Sequence, residues 1–150
     1  MMGDEERNKA VVRAAFEADS RGMDEVLRTH AEIYDPDLQG YFPGMPPIDV
    51  EGHKQYSAAM YAAFPDLNRP IDDLVAEGDK VVARWRAEGT HKGPFMGSPP
   101  TGKFVSTTGI TIFRLKDGKI VEEWGQSDTI GLLQQVGAMP GPGGGAPPTE

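Results

Sequence analysis

Residues 103–127 read KFVSTTGITIFRLKDGKIVEEWGQS, two runs of alternating apolar and polar residues on either side of Asp117-Gly118. A period of two is typical of strands that bury one face. The Asp-Gly pair supplies the positive φ angles of a tight hairpin turn. We therefore predict two antiparallel strands, over residues 103–115 and 120–127, joined at this turn.

The same period extends upstream to Asn68 and predicts two further strands, over residues 70–77 and 81–89. The segment Glu77-Gly78-Asp79-Lys80 lies between them and is typical of a hairpin turn. In the second of these strands the side chains divide between two faces. One face carries Val81, Ala83, Trp85 and Ala87, and the other carries Val82, Arg84, Arg86 and Glu88.

The remaining segments follow a helical period. Apolar residues three and four positions apart predict helices over residues 4–19, 24–31, 50–64 and 129–136. The prolines and glycines of residues 34–47 predict a loop, which either packs on the domain or covers a pocket. Helices followed by an antiparallel meander predict an α+β fold. A curved sheet packed on helices leaves a concave interior suited to an apolar pocket.

The length of 150 residues suits a single domain, which we place at residues 1–137. Residues 138–150 are rich in proline and glycine and offer no apolar run that could dock them. We predict that this tail is mobile.

Composition excludes several classes of function. The formal net charge is -8 and no dense Lys/Arg cluster occurs, so we expect neither nucleic acid nor an anionic membrane as a partner. The chain has no cysteine, which removes disulfides and thiolate chemistry. The N-terminus is acidic and no run reaches the ~18 apolar residues of a bilayer span, which predicts a cytoplasmic protein. His30, His53 and His91 lack metal-ligand spacing, so we expect no metal site.

Asp128 is the first candidate for acid/base chemistry. It shares strand parity with Trp124 and Gln126, so all three face the interior if the indole does. Glu122 has the same parity, which places it at the pocket rim or requires a bulge. Burial beside an indole would raise the pKa of Asp128 toward a range useful for proton transfer. The alternative is a helix N-cap, because Asp128 directly precedes the last predicted helix.

Four further residues are candidates, each with a structural alternative. Arg84 binds a substrate carbonyl or pairs with Asp128, or else lies on a solvated outer face. His91 is a possible second proton carrier, although a histidine between glycines is usually exposed. Tyr56 and Met60 belong to the apolar face of the third helix, where side chains pack in the core, contact a ligand, or do both.

Short motifs over about residues 8–137 are similar to those of the SnoaL-like polyketide cyclases. No single motif is specific, but their order and spacing together are typical of that family. They are Phe64-Pro65-Asp66-Leu67, Glu77-Gly78-Asp79, Gly89-Thr90-His91-Lys92-Gly93, Pro99-Pro100-Thr101-Gly102-Lys103, Asp117-Gly118-Lys119-Ile120-Val121-Glu122, Trp124 through Asp128 and Gly131-Leu132-Leu133-Gln134-Gln135.

The resemblance implies the cone-shaped α+β fold of nuclear transport factor two, in which a strongly bent sheet encloses an apolar pocket. It implies a homo-oligomer, dimer or tetramer, that acts on a hydrophobic small molecule. The implied reaction closes a ring by intramolecular aldol condensation, without a metal or organic cofactor. Asp128 matches the family's acid/base and His91 matches a histidine near the substrate. The implied or candidate substrate contacts are Trp124, Phe95, Met60, Tyr56, Arg84, Gln126 and Tyr41, the last standing where relatives often carry a histidine.

Two other functions stay open on the residues. Limonene-epoxide-type hydrolases share the fold and activate water with an Asp-Arg-Asp arrangement, which Arg86, Glu88 and Asp128 could imitate. A non-catalytic module that binds a hydrophobic small molecule would show the same sequence pattern, because fold does not fix function.

Overall fold

The computed structural model describes residues 3–141 and shows four helices and five strands in that part of the chain. The helices are α1 (Asp4–Asp19), α2 (Met23–Ile33), α3 (Val50–Ala63) and α4 (Thr129–Gln135). The strands are β1 (Tyr34–Tyr41), β2 (Ile71–Glu77), β3 (Lys80–Thr90), β4 (Phe104–Lys116) and β5 (Lys119–Ser127). The predicted α+β class is confirmed, and the four helices and the last four strands form close to their expected bounds.

The five strands form one open, mixed sheet in the order β1-β5-β4-β3-β2. Strands β2 to β5 make the predicted antiparallel meander. The turn between β4 and β5 has positive φ at Asp117 and Gly118, as the Asp-Gly pair predicts. Strand β1 lies at the edge and runs parallel to β5, so the expectation of a purely antiparallel sheet is correct for four strands only.

The predicted loop over residues 34–47 is wrong for its first half, which forms β1. Pro36 falls in the irregular stretch between Tyr34 and Gln39, where the register with β5 shifts and no ladder hydrogen bond is needed from proline. The strand forms because β5 offers it a free edge. Pairing with a segment some 85 residues away leaves no local pattern in the sequence, and tertiary context overrides the turn residues.

Strand β5 contains a bulge that inverts its faces. Arg114 of β4 pairs with Glu122, whereas the next residue of β4 pairs with Ile120, so Val121 is an extra residue in β5. One extra residue moves every later side chain to the opposite face of the sheet. In a regular strand, residues three positions apart would lie on opposite faces. Because of the bulge, Ile120 and Glu123 both lie on the buried face.

Helices α1 and α3 lie over one face of the sheet, the inner face, which carries Trp85, Thr111 and Phe113. Phe16 of α1 contacts two of these side chains, with ring centroids 6.5 Å from Trp85 and 6.0 Å from Phe113. The indole N–H of Trp85 donates to the Thr111 hydroxyl at 2.9 Å, which satisfies both polar groups in the core. The opposite face of the sheet, the outer face, carries the alternate residues of each strand.

Most of the predicted tail lies outside the described residues, so its mobility stays a prediction. Within the described part, the Ala138 N–H donates to the Leu133 carbonyl at 2.8 Å, which closes the end of α4. Between residues 3 and 141 no helix is both long and apolar enough to cross a membrane.

Candidate active site

Three buried polar side chains form a continuous chain above the inner face, His30 from α2, His53 from α3 and Glu123 from β5. His30 Nδ1 lies 2.8 Å from the Val26 carbonyl oxygen, and His30 Nε2 lies 2.6 Å from His53 Nδ1. His53 Nε2 lies 2.9 Å from Glu123 Oε2. The exposed fractions of the three residues are 3%, 8% and 4%. Ionisable side chains buried and joined in this way are candidates for proton transfer.

Each member of this chain is positioned by its own element. The bulge in β5 turns Glu123 inward. His30 follows Val26 by four residues, so one helical turn brings its ring to that carbonyl. Helix α3 begins at the N-cap Asp49, whose carboxylate accepts a backbone N–H of the first turn at 2.8 Å, and this turn carries His53.

Burial and charge act in opposite directions on the two histidines. Burial lowers the pKa of His30. Burial would also lower the pKa of His53, but the Glu123 carboxylate outweighs it and the pKa of His53 is raised. The ring of Tyr34 stacks on His30 at 4.5 Å, and burial raises the pKa of this phenol well above its usual range. The pair of His53 and Glu123 therefore holds a proton more tightly than an isolated histidine.

One oxygen of Glu123 is left without an aligned donor. Glu123 Oε2 is close to His53 Nε2, but no N–H or O–H group of residues 3–141 is aligned to donate a hydrogen bond to this oxygen. A buried carboxylate oxygen in this state is costly, and misaligned hydrogen bonds are common at catalytic groups before a substrate binds. This oxygen is therefore the group in the chain best placed to take a proton from a ligand.

Aromatic side chains stand between the buried chain and solvent. The ring centroid of Phe42 lies 6.1 Å from that of His53, and the Phe42 ring stacks on Tyr56 with centroids 5.6 Å apart. A Cβ at Gly125 would come within 2.8 Å of the Phe42 ring, so the glycine gives this ring its room. Tyr56 is 40% exposed, and Met60, one turn further along α3, packs against the core. A ligand would reach His53 past these apolar groups.

The predicted interior position of Trp124 and Gln126 is wrong. Both side chains lie on the outer face, because the extra residue at Val121 inverts the parity of the strand after it. Trp124 is instead covered by Tyr41 of β1, whose ring stacks on the indole at 5.9 Å. Arg84 is exposed on the same outer face, as its structural alternative required.

His91 is fully buried rather than exposed between its flanking glycines. Its Nδ1 accepts the Thr101 N–H at 3.3 Å, and its Nε2 has no partner in the described part of the chain. The ring centroid of Phe64 lies 5.6 Å from that of His91 and 5.4 Å from that of Phe95. These contacts hold the segment after β3 against the core. The role of His91 as a proton carrier stays a prediction.

Asp128 is exposed and caps α4. Its carboxylate accepts the Gly131 N–H at 2.9 Å, and its carbonyl oxygen accepts the Thr107 hydroxyl at 3.0 Å. The expected burial beside Trp124 is therefore wrong, for the same reason of parity. Asp128 is the helix N-cap that the sequence offered as the alternative. The acid/base role implied by the family resemblance stays a prediction.

Substitutions at Asp128 separate these roles. Asp128→Ala is expected to lower the free energy of unfolding by about 1 kcal/mol, because the cap of α4 is lost. Asp128→Asn keeps an acceptor oxygen and is expected to unfold like the wild type. Urea denaturation measures both effects. If the residue is only a cap, Asp128→Asn keeps its turnover, and a large loss of turnover at unchanged stability would give the carboxylate a chemical role.

The arrangement considered for epoxide hydrolysis lies on the outer face. Arg86 is 3.0 Å from Asp72 and 3.7 Å from Glu88, and its side chain is 42% exposed. These ion pairs occupy the face opposite Trp85, so Arg86 and Glu88 do not contribute to the buried chain.

His30, His53 and Glu123 were not predicted as site residues from the sequence. The histidines come from different helices and have no spacing that predicts their contact. One signal was available, since Glu122 and Glu123 are adjacent in a strand and adjacent strand residues point to opposite faces. One of these two carboxylates therefore had to face the interior.

Comparison with known proteins gives a consistent result. The family model of the SnoaL-like polyketide cyclases matches residues 9–136. Aklanonic acid methyl ester cyclase DnrD of Streptomyces peucetius is 28% identical over 133 residues, which cover 85% of this chain and 88% of that protein. TsrD from Streptomyces laurentii superimposes with a TM-score of 0.80 at 29% identity, covering 92% of this chain and 100% of that one. Wild-type IdmH from Streptomyces antibioticus superimposes with a TM-score of 0.77 at 34% identity, covering 87% of this chain and 98% of that one.

Proposed function

Because the chain belongs to the SnoaL-like polyketide cyclase family, we propose that it closes a ring in a hydrophobic polyketide-type ester by an intramolecular aldol reaction. Glu123 and His53 move the proton in this proposal, in place of Asp128. The substrate class comes from the relative DnrD, a cyclase of aklanonic acid methyl ester. The proposal needs no metal and no organic cofactor.

One observation carries the proposal. A carboxylate 4% exposed, with one oxygen lacking an aligned donor, lies against an imidazole whose pKa is raised. A general base needs a lone pair that is free to accept a proton, and the Glu123 oxygen without an aligned donor supplies it. Nearby aromatic and apolar side chains suit a hydrophobic substrate.

The proposed steps balance within one substrate molecule. A Glu123 oxygen takes a proton from the carbon α to a carbonyl, which leaves an enolate. The enolate carbon forms a C–C bond to a second carbonyl carbon, whose oxygen becomes an alkoxide. Glu123, sharing the proton with His53, returns it to the alkoxide. The product is an isomer of the substrate, and the enzyme ends as it began.

Access to this pair involves Phe42. Its ring fills the space beside Gly125 and lies between His53 and the half-exposed Tyr56. We propose that the Phe42 ring swings aside and that Tyr56 and Met60 then contact the substrate. Phe42 directly follows β1, at the start of a segment rich in proline and glycine, where a ring can move without disturbing the sheet.

The test is conversion of aklanonic acid methyl ester by the full-length protein, followed by liquid chromatography and mass spectrometry. We expect a product of unchanged mass and altered retention, formed equally well in the presence of EDTA. Saturable binding of this ester and of related polyketide esters without conversion would favour the binding module. The proposal is contradicted if the protein neither binds nor converts the ester.

The outer face of the sheet supports a second proposal, that two copies of the chain pair through it. Val75 of β2 is 55% exposed, and Ile110 and Ile112 of β4 are 49% and 36% exposed. Val82 of β3, the strand between them, is the cross-strand neighbour of both Val75 and Ile112. Ile112 is the cross-strand neighbour of Trp124, and Tyr41 stacks on Trp124. The apolar surface therefore extends to both aromatic rings. Contiguous exposed apolar surface of this kind marks an interaction site.

A charge placed in this surface is expected to separate the copies. Ile112→Asp introduces an unpaired carboxylate into the proposed interface, so we expect a monomer by light scattering where the wild type is a dimer or tetramer. Leu27→Asp is the control, because Leu27 is equally apolar and 44% exposed but lies on α2. A monomeric wild type, or an unchanged assembly of Ile112→Asp, would contradict the proposal.

A further inference from the structure

A backbone carbonyl fixes where protons lie in the buried chain. The Val26 oxygen can only accept, so His30 Nδ1 at 2.8 Å carries a hydrogen and donates it. His30 Nε2 and His53 Nδ1 are 2.6 Å apart, a distance that requires one proton between them. His53 Nε2 and Glu123 Oε2 are 2.9 Å apart, but no N–H is aligned to donate to this oxygen, so this contact is not a hydrogen bond.

The two hydrogen bonds use both hydrogens of two neutral imidazoles. A neutral His53 then carries a lone pair on Nε2, which lies 2.9 Å from a Glu123 oxygen that also carries lone pairs. These two atoms repel each other. A third proton on the pair, as an imidazolium with a carboxylate or as an imidazole with a carboxylic acid, removes the repulsion and makes His30, His53 and Glu123 neutral overall.

We infer that His30 is a positioning residue, which through its bond to the Val26 carbonyl places the hydrogen of His53 on Nδ1 and thereby makes the pair of His53 and Glu123 bind a further proton more tightly. Without His30, the Nδ1 of His53 would lose its partner. A neutral His53 could then carry its hydrogen on Nε2 and donate it to the Glu123 carboxylate, with no third proton. His30 therefore raises the pH at which the pair gives up its proton. The catalytic consequence rests on the proposed function, whereas the proton arrangement rests on the distances alone.

Two other charged groups near His53 act on it in opposite directions. Asp19 of α1 raises the pKa of His53 and Arg69 lowers it. These two side chains form an ion pair with a 2.7 Å contact, so their effects oppose each other. The ring of Tyr34 packs on both His30 and His53, and Tyr56 stacks on Phe42 beside them. Burial raises the pKa of both phenols, which keeps them neutral.

Nuclear magnetic resonance of the ¹⁵N-labelled full-length protein tests the inference. Imidazole ¹H–¹⁵N correlations distinguish the two tautomers. We expect hydrogen on Nδ1 of both His30 and His53 in the wild type, where an isolated histidine carries it mostly on Nε2. In His30→Phe, which keeps a ring on Tyr34, we expect the titration midpoint of His53 to fall by about one pH unit, a tenfold change in proton affinity. The pH dependence of kcat/KM is expected to move by the same amount.

Tyr34→Phe is the matched control, because it keeps the ring stacked on His30 and removes only the hydroxyl. We expect the His53 midpoint of this variant to stay at the wild-type value. Hydrogen on Nε2 of His30 in the wild type would overturn the inference, and so would an unchanged His53 midpoint in folded His30→Phe. If His30→Phe does not fold, the wild-type tautomers decide. The expected tautomers without conversion of a polyketide ester would support the inference and contradict the proposed function.

Discussion

Glu123→Gln is expected to lower kcat/KM for ring closure by about 10²- to 10⁴-fold, the usual contribution of a positioned general base. Glutamine has the shape of glutamate and can still contact His53, but it cannot take a proton from carbon. The fold is therefore expected to persist while the chemistry is lost. The measurement is the rate of product formation by liquid chromatography and mass spectrometry, together with a circular dichroism spectrum of the variant.

Glu122→Gln is the matched control for this experiment. The two glutamates are adjacent in β5, but Glu122 lies on the outer face and forms an ion pair with Arg114. Partly exposed ion pairs contribute little to stability, and this carboxylate does not touch the buried chain. We expect turnover close to that of the wild type. Equal losses in the two variants, or full turnover in Glu123→Gln, would remove Glu123 from the mechanism.

His53→Leu is expected to lower the free energy of unfolding by about 3–5 kcal/mol, the usual cost of removing one partner of a buried charge pair. The substitution leaves the Glu123 carboxylate buried without its cation and His30 Nε2 without its partner. Burying an uncompensated charge is the larger of the two costs. Urea denaturation monitored by tryptophan fluorescence measures the change.

The double variant His53→Leu/Glu123→Gln separates charge from packing. Once residue 123 is uncharged, removal of His53 leaves no buried charge, so we expect the loss on His53→Leu to be much smaller in the Glu123→Gln background. Equal losses in both backgrounds would show that His53 acts on stability through packing alone.

The pH dependence of stability follows from the same pair. The pKa of His53 is raised in the folded protein above its ordinary value of 6.5. Its contribution to stability is therefore fully present below about pH 6.5 and is lost as the pH rises through the folded value. We expect the wild type to lose stability over this window and Glu123→Gln to lose less, because the raising charge is absent. A wild type that gains stability there would contradict the assignment.

The local pattern of the sequence predicted most of the fold for identifiable reasons. Alternating runs ended at Asp117-Gly118 because that pair adopts the turn dihedrals by itself. Helix α3 ended before Pro65, which cannot continue a helix. Strand β1 was missed because its stability comes from the edge of β5, and the prolines and glycines around it favour a loop when they are considered alone.

The candidate site was predicted far less well. The interior placement of Asp128, Trp124 and Gln126 depended on an inward-facing indole, and the parity of Glu122 left a bulge open as an alternative to a position at the pocket rim. The bulge at Val121 breaks the period of two along β5, so the predicted set lies on the outer face or at the helix cap, and Glu123 faces inward in its place. The position of a one-residue bulge depends on how β4 and β1 both pair with β5, so the local pattern could leave a bulge open but could not locate it.

The sequence by itself determined the four helices, the last four strands, the α+β class and the family, because turn residues, caps and hydrophobic periods act over a few neighbours. The tertiary structure decided which side of β5 faces the interior. It also decided that His30, His53 and Glu123 meet, since their contact joins two helices and a strand separated by up to 93 positions. Proton transfer in this chain depends on that contact, and contacts of this kind exist only once the elements have packed.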